Sequence, residues 1–220
     1  QLEMIRNLIS QGANIHELNN AGESLLIIAA RKGQAEVSRF LLEQGLDPHL
    51  PSQAGETALS QAALFGNPDT LKLLLDQGAK LESRNLLGET PLMNASKSLN
   101  VENLKFLLSE GANIYERDEK GQTALMHAVL RSTLENVQVL LEKGAILHIK
   151  DSNGVTALDH AYKNGKEVLF QYLSVKMGLP SRKFNLQDVV NIGKVYMLND
   201  LIIKGADPNQ IVLWKGVESA

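Results

Sequence analysis

The chain has 220 residues, 44% of them hydrophobic but only 5% aromatic, with no cysteine and a formal net charge of −3. Without cysteine there is no disulfide scaffold, no thiolate zinc site and no cysteine nucleophile. A charge this close to neutral gives no bulk attraction to nucleic acid or to an anionic membrane.

No apolar run approaches the roughly 20 residues that span a bilayer, and no basic-plus-apolar leader opens the chain. The first residue is Gln1, so the chain is expected to be an excised or processed segment of a longer protein. Few rings with abundant Leu, Ala and Gly suit an array of small units better than one thick globule.

Residues 1–20 read as a helix with its closing glycine, Gly12, followed by a polar finger. That glycine recurs at Gly45, Gly78, Gly111 and Gly144, in steps of 33. A second glycine recurs at Gly22, Gly55, Gly88, Gly121 and Gly154, at the same period, and is followed each time by a Ser or Thr and a Leu: ESLL, ETAL, ETPL, QTAL, VTAL. In GETPL, Thr90 is a good N-cap and Pro91 suits the first helical turn, where its missing donor is not needed. Ala29-Ala30 and Ala62-Ala63 follow, small enough for helices to approach closely. Gly33, Gly66 and Gly165 are expected to stop this first helix in a left-handed C-cap. Leu99 and Ser132 stand in that glycine's place in two units, where the turn must be strained or reshaped. Asn67-Pro68 restarts the chain as a cap plus proline, and Val37, Phe40 and Leu41 mark the apolar face of the second helix. The next closing glycine ends it and the finger follows.

Near the C-terminus the register slips. Gly165 to Gly178 spans 13 residues where Gly33 to Gly45 spans 12, and LPSRKF leaves little room for a finger. The spacing predicts a shortened finger at residues 177–184 and a degenerate first helix in NLQDVVNIG. VYMLNDLIIKGADPN is then a second helix closing at Gly205, and KGVESA starts a further unit. The domain division is therefore regular repeats over 1–176, the first of them partial, and an irregular last repeat over 177–220.

The 33-residue helix–turn–helix–finger unit, with G-x-T-P-L and L-L-x-x-G-A, resembles the ankyrin repeat over nearly the whole chain. The resemblance implies an all-α, ankyrin-repeat solenoid of helix–turn–helix units with projecting β-hairpin-like fingers. It also implies a non-catalytic protein–protein interaction module that grips a protein or peptide in a concave groove lined by finger tips and first helices. In that register the groove side chains are Arg31, Lys32, Glu56, Leu64, Phe65, Arg84, Leu86, Leu87, Glu89, Lys97, Arg117, Lys120 and Arg131. Leu64, Phe65, Leu86 and Leu87 form an apolar centre with a basic rim, the anatomy of an interface. The rim favours an acidic or carboxylate-bearing peptide, and the row Glu23, Glu56, Glu89 is expected to accept Lys or Arg beside it.

Other chemistry is sparse. None of the five histidines has HExxH or another metal-ligand spacing, and there is no GxGxxG, GxxxxGKT or GxSxG. His127 and His160 hold equivalent places one unit apart, roughly 10 Å by the repeat geometry, and are read as polar contacts of the first helices rather than a metal or catalytic pair. Asp159 and His160 are adjacent and face different ways. No catalytic, cofactor or metal residue is assigned. LIIKGADPN resembles the segment that asparaginyl hydroxylases modify in ankyrin repeats, which marks Asn209 as a possible acceptor. The chain is expected to be a monomer that binds neither nucleic acid nor membrane, in the cytoplasm or, for a secreted bacterial effector, in the cytoplasm of its host. The alternatives are the substrate-recruiting region of a larger enzyme, and a nucleotide sensor using Phe65, Lys97 and Arg131.

Overall fold

The computed structural model describes residues 2–131 and 133–178, among which there are eleven helices and no strand. They are α1 (Leu2–Ser10), α2 (Leu25–Arg31), α3 (Ala35–Glu43), α4 (Ala58–Phe65), α5 (Pro68–Asp76), α6 (Pro91–Lys97), α7 (Val101–Ser109), α8 (Ala124–Arg131), α9 (Leu134–Glu142), α10 (Ala157–Lys163) and α11 (Glu167–Lys176). Even-numbered helices are the first helices of their units and odd-numbered ones the second. Residues 1–169 form one unit and residue 170 begins another. Of the irregular C-terminal features read from the sequence, all but Met177 and Gly178 lie outside the described residues, as does Asn209.

The first helices α2, α4, α6 and α10 start where their cap residues put them. Thr57 accepts from the backbone N–H of Ser60, whose hydroxyl accepts in return from the Thr57 N–H, a reciprocal box. Thr156 and Asp159 do the same at α10, while Ser24 and Thr90 each satisfy one orphan donor. Asn67 caps α5 ahead of Pro68.

The first helices stack in order, α2 on α4, α4 on α6, α6 on α8 and α8 on α10, and α3, α5, α7 and α9 stack beside them. The alanines make the close stacking possible: Ala30, Ala62, Ala95, Ala128 and Ala161 are fully buried. Leu41, Leu74, Leu107 and Leu140, one on each of α3, α5, α7 and α9, are buried, each contributing roughly 2 kcal/mol. No unit encloses its own apolar face, so neighbouring units complete one another's core.

Buried amides tie consecutive units together. Asn103 Nδ2 donates to the carbonyls of Ala62, Ala63 and Gly66 at 3.3, 3.1 and 3.2 Å. Thirty-three residues on, Asn136 does the same for Ser96 and Ser98. These carbonyls lie at the C-terminal ends of α4 and α6, where intrahelical donors run out; of them Ala62 O also accepts from the Gly66 N–H.

The fingers are hairpin-like but bear no ladder. Within each, one backbone bond crosses the turn, as from Asn85 N to Glu89 O at 3.1 Å. Between neighbours one bond joins the tips: Gln53 N to Ala21 O, Leu86 N to Ala54 O, Glu119 N to Leu87 O and Ser152 N to Lys120 O, all 2.9 to 3.0 Å.

One turn differs from the sequence reading, and another takes one of the two forms that reading left open. Gly33 and Gly165 are left-handed, with φ of 64° and 63°, but Gly66 has φ −85°. It is required for space instead: a Cβ there would lie 2.6 Å from the Ala30 carbonyl oxygen and 2.9 Å from Ala62 Cα. Where Leu99 replaces the glycine the turn is reshaped. Ser98 takes an extended backbone, φ −70° and ψ 149°, its hydroxyl accepts from the Asn100 N–H, and Leu99 is turned out to 95% exposure.

Candidate functional site

The finger and first-helix face carries the residues singled out from the sequence, and the structure divides them into three groups. The apolar group stands out from the surface: Phe65, Leu86 and Leu87 are 59%, 73% and 57% exposed, and Leu64 is half-buried. Leu64 and Phe65, at the end of α4, line a cavity of about 430 Å³ together with Lys97, Ser98, Leu99, Asn100 and Arg131. Leu86 and Arg84 line a separate cavity of about 400 Å³ among the fingers, with His49, Pro51 and Lys80. The apolar centre is thus two hollows. Leu99 belongs to the first and was not recognised from sequence, because it sits where the repeat register reserves a turn glycine.

The second group is engaged inside the chain. Arg84 Nη1 donates to the carbonyls of Gly88 and Arg117 at 2.8 and 2.9 Å, and Nη2 pairs with Glu116. Arg117 repeats the device one unit later, on the carbonyls of Gly121 and Lys150. Arg31 pairs with Glu23 and donates from Nε to Gln61 Oε1 at 2.8 Å. Lys97 Nζ lies 2.8 Å from Glu89 Oε2, with both side chains largely buried. Two members of the glutamate row, Glu23 and Glu89, thus take an arginine and a lysine of the chain itself. At Glu56 the partners are instead Ser60 Oγ, Asn85 Nδ2 at 2.7 Å and Asn94 Nδ2 at 3.4 Å.

The third group is what remains of the basic rim. Lys32, Lys120 and Arg131 are exposed, and among the described residues none of them pairs with a carboxylate.

The two histidines go to separate partners. His127 Nε2 is 3.0 Å from Asp118 Oδ2, and His160 Nε2 is 2.9 Å from Asp151 Oδ2, each the aspartate of its own finger. Glu89 Oε1 also lies 3.8 Å from His127 Nε2. Burial works against the charge of Asp118, but hydrogen bonds from His127 and from the Gln122 and Lys120 backbone outweigh it, so its carboxyl sits below the ordinary value. Burial is opposed in the same way at Glu89 by Lys97 and Asn85, and its carboxyl too is held low. Asp159 is the acceptor of the α10 capping box and has no triad geometry with its neighbour.

Two-helix units stacked at a 33-residue period, with backbone-linked fingers on one side, define a helical repeat solenoid. The family model for ankyrin repeats, in three copies, matches at residues 1–85, 44–118, 72–151 and 92–185, and the chain belongs to the ankyrin repeat family. No curated protein matches it in sequence. Ankyrin repeats are generally protein–protein interaction modules and typically non-catalytic. Among the described residues no helix is long and apolar enough to cross a membrane.

Proposed function

We propose that the chain is a monomeric binding module that takes a protein or peptide segment against its finger and first-helix face, anchored in the hollow between the ends of α4, α6 and α8. The observation that carries this reading is Phe65, 59% exposed, beside Leu99, 95% exposed, in a cavity that also holds Arg131. Exposed aromatic and aliphatic groups lining a concavity lose water on binding, and a flanking guanidinium selects a carboxylate. The expected ligand therefore presents an apolar side chain next to an acidic one. Leu87 and Lys120 on the fingers extend the contact.

The test is selection of peptides on the folded chain, followed by calorimetry. Phe65→Ser and Leu99→Ser should each weaken a selected peptide at least tenfold, about the effect of losing a moderate hot spot, with an unchanged circular-dichroism melt. Arg131→Glu should remove the preference for acidic sequences. Unchanged affinity in a folded Phe65→Ser chain rejects this site.

A further inference from the structure

We propose that Glu89, Asp118 and His127 form a binding site for one zinc-class divalent cation between consecutive repeats. Their ligand atoms, Glu89 Oε1, Asp118 Oδ2 and His127 Nε2, all lie within 4.8 Å of one another. The Nε2 is 3.0 Å from Oδ2 and 3.8 Å from Oε1, and the three side chains are at most 9% exposed. Bonds of about 2.0–2.2 Å place neighbouring tetrahedral ligands roughly 3.3–3.5 Å apart, so small adjustments close the set around one ion.

The repeat itself supplies the comparison. The same three register positions meet in the preceding unit, where Glu56 accepts from Asn85 Nδ2 and Asn94 Nδ2. There one carboxylate is satisfied by two amide donors. One unit later, Asp118 and His127 replace those amides, and two carboxylates face an imidazole. In the unit after that, Asp151 and His160 persist but Gln122 stands in the glutamate's place. Among these three sets, only the one in the middle has three metal-ligating side chains.

The other oxygen of each carboxylate is held by donors of its own, which turns Glu89 Oε1 and Asp118 Oδ2 toward His127 Nε2. Glu89 Oε2 accepts from Asn85 Nδ2 at 2.9 Å and Lys97 Nζ at 2.8 Å. Asp118 Oδ1 accepts from the backbone N–H groups of Lys120 and Gln122 at 2.9 and 2.8 Å. Outer partners of this kind fix the direction of a ligating carboxylate. Two carboxylates with one imidazole suit zinc and other late first-row divalent ions better than calcium or magnesium, with water completing the coordination. The rival occupant of the same space is a proton on His127 Nε2, hydrogen-bonded to Asp118 Oδ2 at 3.0 Å with Glu89 Oε1 3.8 Å away.

The test is calorimetric titration of the chelator-treated chain with zinc chloride, together with the visible absorption of the cobalt(II) form. The expected result is one site per chain. Glu89→Gln and His127→Asn should each weaken it at least tenfold, and His160→Asn should leave it unchanged. A gain variant guards against loss through misfolding: Gln122→Glu completes the set with Asp151 and His160 and should create a second site. No saturable binding by the folded chain overturns the proposal. So does binding that survives both Glu89→Gln and His127→Asn, which would place the metal on other histidines.

Discussion

Asn136 Nδ2 donates to the carbonyl of Ser98 at 2.8 Å, across 38 residues of sequence and one repeat boundary. A second bond, to Ser96 at 3.0 Å, shares the same amide, and Asn136 is 2% exposed. Truncation would take the Asn136 donor from the Ser98 carbonyl and leave the Ser96 carbonyl with Thr133 Oγ1 at 3.2 Å alone. Asn136→Ala should therefore cost about 2 kcal/mol, read as a fall in urea midpoint. Asn136→Asp should cost more, because a buried carboxylate would face the same carbonyls.

Gly66→Ala should destabilise by roughly 2 kcal/mol, as overpacking does. The reason is steric, since φ is −85° and the added methyl meets the Ala30 carbonyl and Ala62. The matched variant at Gly33 meets the side chain of Asn67 and must also adopt a positive φ. Thermal melts of the two, each paired with a variant that shortens residue 67, separate backbone strain from crowding: only the Gly33 penalty should ease.

Arg84 and Arg131 look alike in sequence and should behave differently. Arg84→Ala removes two hydrogen bonds to finger carbonyls. Because its side chain is 41% exposed, water replaces part of the loss, and about 1 kcal/mol of stability is the expected effect. Arg131→Ala should change stability by less than about 0.5 kcal/mol while lowering affinity for an acidic peptide. Chemical denaturation and calorimetry on the same two variants check both halves.

Stability should fall on the acid side of about pH 4. Glu89, Asp118 and Asp151 all have folded-state carboxyls held below their ordinary values. In each, burial opposes the charge and hydrogen bonds outweigh it. A depressed folded value means a contribution fully present above the unfolded pKa near 4 and lost as pH drops through the folded one. Urea midpoints measured from neutral pH down to about pH 3 should therefore decline, and Asp151→Asn should lower the neutral value while flattening the decline.

The 33-residue period was legible because its punctuation is chemical. Gly22, Gly55, Gly88, Gly121 and Gly154 all have positive φ, a demand visible in sequence as an invariant phase. The caps were legible for a similar reason, since Thr57 and Thr156 act within three residues of themselves. What the sequence concealed depends on where long side chains turn. Nothing local distinguishes Arg84, folded back on its own finger, from Arg131, which points into the hollow. Gly66 was read as a left-handed cap because composition does not separate a glycine needed for its φ from one needed for its missing Cβ. The meeting of Glu89 with Asp118 and His127 has no linear motif. It becomes visible only when the units are laid in register and one asks which positions converge.

The links between neighbouring finger tips run from main chain to main chain, and that has an evolutionary consequence. The donors are Gln53, Leu86, Glu119 and Ser152, and the acceptors Ala21, Ala54, Leu87 and Lys120, residues with almost nothing in common. A joint indifferent to side-chain identity lets every tip mutate toward a new target while its spacing from the next tip is preserved. Proline at a donor position is the replacement that breaks it, because it removes the N–H.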